Sequence, residues 1–157
     1  MKQFLLATIL IIILSNCEKP EINNGNTNAT LHFSTDTISF DTVFASIGSI
    51  TKTLTVYNHN NFETRTNIDL QGSSAAHFRV NIDGISGNNQ NNIKIPANDS
   101  IFIFLEVTID PSNNNTPYIL TDSLIFTTGS NKQDVNLVAW GQDAYFHTAN
   151  TYGNIIN

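Results

Sequence analysis

Beyond Leu31 apolar and polar residues alternate with a period of two, the spacing of strands that bury one face. SIFIFLEVTI is the clearest case: Ile101, Ile103, Leu105, Val107 and Ile109 share one side, and Ser100, Phe102, Phe104, Glu106 and Thr108 the other. SITKTLTVYN aligns Ile50, Leu54 and Val56, TNIDLQG aligns Ile68 and Leu70, and HFRVNI sets Phe78, Val80 and Ile82 against His77, Arg79 and Asn81. DSLIFTT and QDVNLVAWG predict two more strands with Leu124, Phe126, Val135, Leu137 and Ala139 inward, and Trp140 competes with Ala139 for the core near the end of the last one. LHFS and ISFDTVF open the series. The tracts between are rich in Asn, Asp and Gly, which accept turn geometry, and Pro96, Pro111 and Pro117 fall where they cost no ladder bond. About seven to nine short strands with no helical stretch after residue 17 predict an all-β, two-sheet antiparallel sandwich.

The pattern before Leu31 is different. Lys2 precedes a mostly apolar run over residues 4–14, then Ser15, Asn16 and Cys17. That run is well short of the roughly 20 residues a spanning helix needs, and it reads as a signal-peptide core over residues 1–16. PEINNGNTNAT has almost nothing apolar, so residues 17–30 are expected to be a flexible tether. The domain is expected over residues 31–143, and the tail 144–157 loses the strand pattern, as an irregular terminus or the start of a further region does.

Cys17 is the only cysteine in the chain, so it cannot form an intramolecular disulfide. Leu14-Ser15-Asn16-Cys17 resembles the lipobox of bacterial lipoproteins, with Asn16 where that family usually has Gly, Ala or Ser. The resemblance implies cleavage before Cys17 and lipid on its sulfur and new amino group, hence attachment to a membrane. Several acyl chains at about 0.8 kcal/mol per buried methylene make such an anchor effectively permanent. Glu18, Lys19 and Glu21 resemble the charged export signals of surface lipoproteins in Bacteroidetes-type bacteria, which implies an outer-membrane, surface-exposed protein.

A second resemblance covers the domain. Gly48, Val56, Asn58, Phe78, Val80, Ile95, Pro96, Ser100, Val107, Pro111, Leu137 and Gly141 fall in the order seen in the immunoglobulin-like modules of the ASH and major-sperm-protein-like group. It implies an immunoglobulin-like β-sandwich held by packing alone, and speaks for fold more than function.

Charge and chemistry narrow the function. With 13 Asp and Glu against 7 Lys and Arg, and no basic cluster, the chain is not built for nucleic acid. His32, His59, His77 and His147 stand far apart in the sequence without metal-ligand spacing, and no nucleophile elbow, phosphate loop or dinucleotide fingerprint occurs. No catalytic residue, metal or cofactor is expected. Asp83 with Asn81, and Asp110 with Asn113, have calcium-type oxygen ligands, but turn capping by the same side chains explains them.

Four triplets, at Asp36–Ile38, Asp41–Val43, Asp99–Ile101 and Asp122–Leu124, join an acid, a hydroxyl and an apolar residue. They resemble the O-glycosylation acceptor pattern of exported Bacteroidetes proteins, with Thr37, Thr42, Ser100 and Ser123 as acceptors. Strands that begin on a turn acid would give the same triplets from fold alone. Two classes of function remain: a non-enzymatic, lipid-anchored cell-envelope module that engages a protein or glycan partner, and a carbohydrate-binding accessory domain using Phe62, Tyr118, Trp140 and Tyr145.

Overall fold

The computed structural model describes residues 29–44, 48–109 and 118–142, together with the backbone of 148–149 and 155–156. Cys17, the apolar run before it and the spacer as far as residue 28 lie outside the described residues.

The alternation becomes two five-stranded sheets. In chain order the strands are β1 (His32–Phe33), β2 (Thr37–Phe44), β3 (Lys52–Asn58), β4 (Thr64–Gln71), β5 (Phe78–Ile82), β6 (Ile85–Ser86), β7 (Asn89–Ile95), β8 (Asp99–Val107), β9 (Tyr118–Thr128) and β10 (Asn131–Gln142). One sheet has the order β1-β3-β8-β5-β6, and the other β2-β10-β9-β4-β7. The backbone of the tail carries a further two-stranded ladder between β11 (Thr148–Ala149) and β12 (Ile155–Ile156).

The inner faces meet in one apolar layer, with Phe40 of β2 against Phe78 of β5 at 5.9 Å and Phe33 of β1 against Phe126 of β9 at 4.7 Å. Ile101, Ile103, Leu105 and Val107 are buried as their spacing predicts, and so are Leu54, Val56, Ile68, Leu70, Val80, Ile82, Leu124, Val135, Leu137 and Ala139. Each such Val, Leu, Ile or Phe side chain contributes roughly 1.5–3 kcal/mol when taken fully from water, which lets the core form without a disulfide.

Two inward assignments fail. Ile50 is 71% exposed because the strand begins only at Lys52, so it sits on the connection before the pleat starts. Trp140 is 40% exposed, because Ala139 takes the inward position and the next residue must then face out.

The sandwich is not antiparallel throughout. β2 runs parallel to β10, from Thr37 against Asn136 to Phe44 against Gln142, with a bulge that leaves Asp41 unpaired between Phe40 and Thr42. β1 belongs to one sheet and β2 to the other, so the chain crosses over at residues 34–36 and joins the free edge of β10 while running in the same direction. A parallel pair needs a long connection, and here almost the whole domain supplies it.

The chain enters beside the β9–β10 hairpin, where side chains grip its backbone. Gln133 Oε1 accepts from the Leu31 amide at 2.9 Å, Gln133 Nε2 donates to the Leu31 carbonyl at 2.9 Å, and Asn131 Nδ2 donates to the Ala29 carbonyl at 3.1 Å. Ala29 and Leu31 are buried, while Thr30 between them is exposed.

Candidate functional site

On the β1-β3-β8-β5-β6 sheet the outward positions follow from the inward ones. Since Ile101, Ile103 and Leu105 of β8 point to the core, Phe102 and Phe104 point to solvent, at 50% and 41% exposure. Register sets Thr55 beside Phe102 and Thr53 beside Phe104 on β3, and Asn81 beside Phe104 on β5. Further along the same face Tyr57 opposes Ser100. Its ring lies 5.7 Å from that of His59, which stacks on His32 at 4.7 Å. Outward aromatics at alternate positions forgo burial that the fold does not require them to forgo, and such a surface marks an interaction site more often than a lone apolar residue does.

Arg79 of β5 and Glu106 of β8 are directly opposed on this face, where opposite charges ordinarily pair. Each is turned to a threonine instead: Arg79 Nη2 donates to Thr108 Oγ1 at 2.9 Å, and Thr51 Oγ1 donates to Glu106 Oε1 at 2.6 Å. Among the described residues the ion pair found is Arg65 with Glu63, not these two. Between them lies a groove of about 270 Å³ lined by Arg79, Asn81, Ser86, Phe104 and Glu106. Asn81 Nδ2 donates to Ser86 Oγ at 3.3 Å, while Asn81 Oδ1 is buried without a partner. The β5–β6 turn that carries Ser86 to this place has φ of 47° at Asp83 and 86° at Gly84, the left-handed pair of a tight hairpin, which Asp-Gly adopts readily.

The residues singled out from the sequence are scattered by comparison. Thr37 and Thr42 are exposed on β2, whereas Ser100 on β8 and Ser123 on β9 are partly covered. Asp36 and Asp99 sit at strand starts, as the fold-based explanation of the triplets requires, but Asp41 is at the bulge and Asp122 lies within β9. Phe62 is half-buried in the connection leading into β4, and Trp140 lies at the opposite end of the β2-β10-β9-β4-β7 sheet, so they form no common sugar platform; the side chains of Tyr118 and Tyr145 lie outside the described residues. Asp83 is an exposed turn residue, and Asp110 and Asn113 lie outside the described residues. His32 and His59, distant in sequence, come together because β1 pairs with the end of β3. Among the described residues no three of His, Cys, Asp and Glu gather as a metal-holding group.

Asp122 is the unusual acid. It points inward between Leu120 and Leu124, is 6% exposed, and neither carboxylate oxygen meets a donor in good hydrogen-bond geometry, the Ser74 amide being near but poorly aligned. Burial pushes its carboxyl above the ordinary 3.8, and the Ser74 amide and His77 ring act the other way without cancelling the effect. An unfolded aspartate releases its proton near pH ~3.9, and folded Asp122 holds its proton to higher pH. In that window the unfolded state binds fewer protons, so the folded state loses stability as pH rises until folded Asp122 has ionised. Asp122→Asn is therefore expected to raise the melting temperature at pH 7 and to flatten its dependence on pH above 4. Thermal melts of both proteins across that range check it; a variant less stable than the parent at pH 7 would contradict it.

No protein-family model matches the sequence, and a search of the curated proteins also found no match. Among solved structures, the CooA pilin subunit of enterotoxigenic Escherichia coli superposes with a TM-score of 0.50 at 10% identity, over 74% of this chain and 99% of the pilin. The ASH/PapD-like domain of human CEP192 gives 0.48 at 12% identity, over 85% of this chain and 96% of that domain. A Porphyromonas gingivalis W83 protein of unknown function gives 0.49 at 13% identity, over 73% of this chain and 49% of that one. The likeness to the pilin is one of fold: an immunoglobulin-like β-sandwich.

Proposed function

We propose that this protein is a non-enzymatic, lipid-anchored module of the bacterial cell envelope that engages a partner through the outer face of the β1-β3-β8-β5-β6 sheet. The observation that carries the docking face is the outward pair Phe102 and Phe104, set among threonines, Asn81 and an Arg79–Glu106 couple that does not pair internally. The anchor rests on the sequence, in which Cys17 follows a short apolar run and precedes Glu18, Lys19 and Glu21. Those charges favour the outer membrane and its surface. The pilin likeness supports a β-sandwich module without itself supplying a partner.

Mass spectrometry of the protein from its native host tests the anchor. The expected product begins at Cys17 with acyl groups on it, and Cys17→Ala moves the protein from the membrane to the soluble fraction. An unmodified thiol at Cys17 would refute it. The same spectra are expected to show hexose at Thr37 and Thr42, which are exposed, in preference to Ser123, whose neighbouring Asp122 is buried beyond the reach of a modifying enzyme. For the face, a photo-crosslinking residue at Phe102 is expected to give an adduct in cells where one at Ser39, on the other sheet, gives none. Equal labelling at both sites would remove the face.

The second reading, a carbohydrate-binding accessory domain, loses a platform shared by Phe62 and Trp140 but gains Phe104 and the groove beside it.

A further inference from the structure

We infer that the groove between β5 and β8 beside Phe104 is a binding site for one ring of an uncharged oligosaccharide. The inference rests on the docking face above and names its ligand class. At about 270 Å³ the groove falls below the roughly 300–1,000 Å³ of sites for cofactors or drug-sized ligands, which suits one sugar ring with its neighbours running out over the sheet. Its wall is an aromatic ring, 41% exposed, against which the C–H face of a pyranose can lie.

The polar side chains are of the kind that fix hydroxyl groups. Arg79 supplies donors, Glu106 supplies acceptors, and Asn81 with Ser86 supplies both. Two of them are already oriented, Arg79 by Thr108 and Glu106 by Thr51, and each keeps further hydrogen-bonding capacity. Asn81 Oδ1 is sealed from solvent, so what Asn81 turns to the groove is its amide group, shared with Ser86 Oγ. Charge selects the class. One guanidinium and one carboxylate line the groove without a basic excess, so an anionic sugar drawn to Arg79 also meets Glu106, and the balance favours an uncharged ligand. Across the sheet Phe104 is flanked by Thr53 and Asn81, and along β8 the next outward residue is Phe102, a second exposed ring on which a neighbouring sugar can lie.

The test titrates the detergent-solubilised full chain in a calorimeter with cellohexaose, laminarihexaose and mannohexaose, and with hexagalacturonate as the charged probe. At least one neutral hexaose is expected to bind. Phe104→Ala is expected to weaken that binding about tenfold or more, Phe104→Tyr to restore it, and Trp140→Ala, on the other sheet, to leave it unchanged. Because Phe104 faces solvent, the variants should melt with the parent, so a loss reads as binding. The site is overturned if no neutral hexaose binds, if hexagalacturonate binds better, or if binding survives Phe104→Ala or is lost with Trp140→Ala. If every hexaose fails while the crosslinker at Phe102 still captures a polypeptide, the sugar assignment falls and the docking face stands; if the crosslinker is silent too, both fall.

Discussion

Replacing Asn58 with alanine is expected to cost about 3–5 kcal/mol and to lower the melting temperature by roughly 10–15 °C. Asn58 is fully buried, and its one side chain ties three stretches of backbone together. Its amide donates to the carbonyls of Phe62, Ile95 and Pro96 at 2.9, 3.0 and 2.9 Å. Its oxygen accepts from the Asn60 amide and side chain at 3.1 and 2.8 Å and from Thr64 Oγ1 at 3.2 Å. Alanine leaves buried acceptors and a hydroxyl without partners in a region water reaches poorly. Asn58→Asp is expected to be worse, since it removes the donors and turns a charge toward carbonyl oxygens. Chemical denaturation of the two variants checks both; an Asn58→Ala protein within about 1 kcal/mol of the parent would mean that water replaces the amide.

Gly72→Ala is expected to be nearly as damaging, at about 3 kcal/mol or more. Gly72 holds φ at 146°, where side chains are strained, and a Cβ built there would fall on Asp122 Oδ1. Gly84 separates the two causes: its φ is 86°, but a Cβ there meets nothing within 4 Å, so Gly84→Ala should cost only about 1 kcal/mol. In a double-mutant cycle, Asp122→Ala should recover the part of the Gly72→Ala loss due to overlap and leave the backbone part. Strict additivity of the two substitutions would show that the carboxylate is not what excludes the methyl group.

Period-two spacing revealed the sheets because each strand buries one side and wets the other. Along β8 it assigned Ile101, Ile103, Leu105 and Val107 to the core and so also placed Phe102 and Phe104 outside. Their importance went unread because parity gives direction but not neighbours: Arg79, Asn81 and Ser86 are brought alongside by pairing between strands distant in the sequence. The same limit hid the stack of His32 on His59. Ile50 and Trp140 failed for local reasons, one lying before its strand begins and the other being the wrong member of an adjacent apolar pair. The alternation Leu120, Asp122, Leu124 marks an inward acid, which the triplet Asp122–Leu124, defined by residue type alone, does not reveal. The parallel run of β2 beside β10 left no local trace, since a strand's sequence reports its buried face and not its direction.

That parallel pairing also sets an order of events during synthesis. The partners of Thr37, Ile38 and Phe40 on β10 are Asn136, Leu137 and Ala139, so β2 can find its edge only once nearly all of the domain has been translated. Folds closed by contacts so distant along the chain assemble slowly. If the chain is exported as proposed above, β2 has no edge to join until β10 too has crossed the membrane.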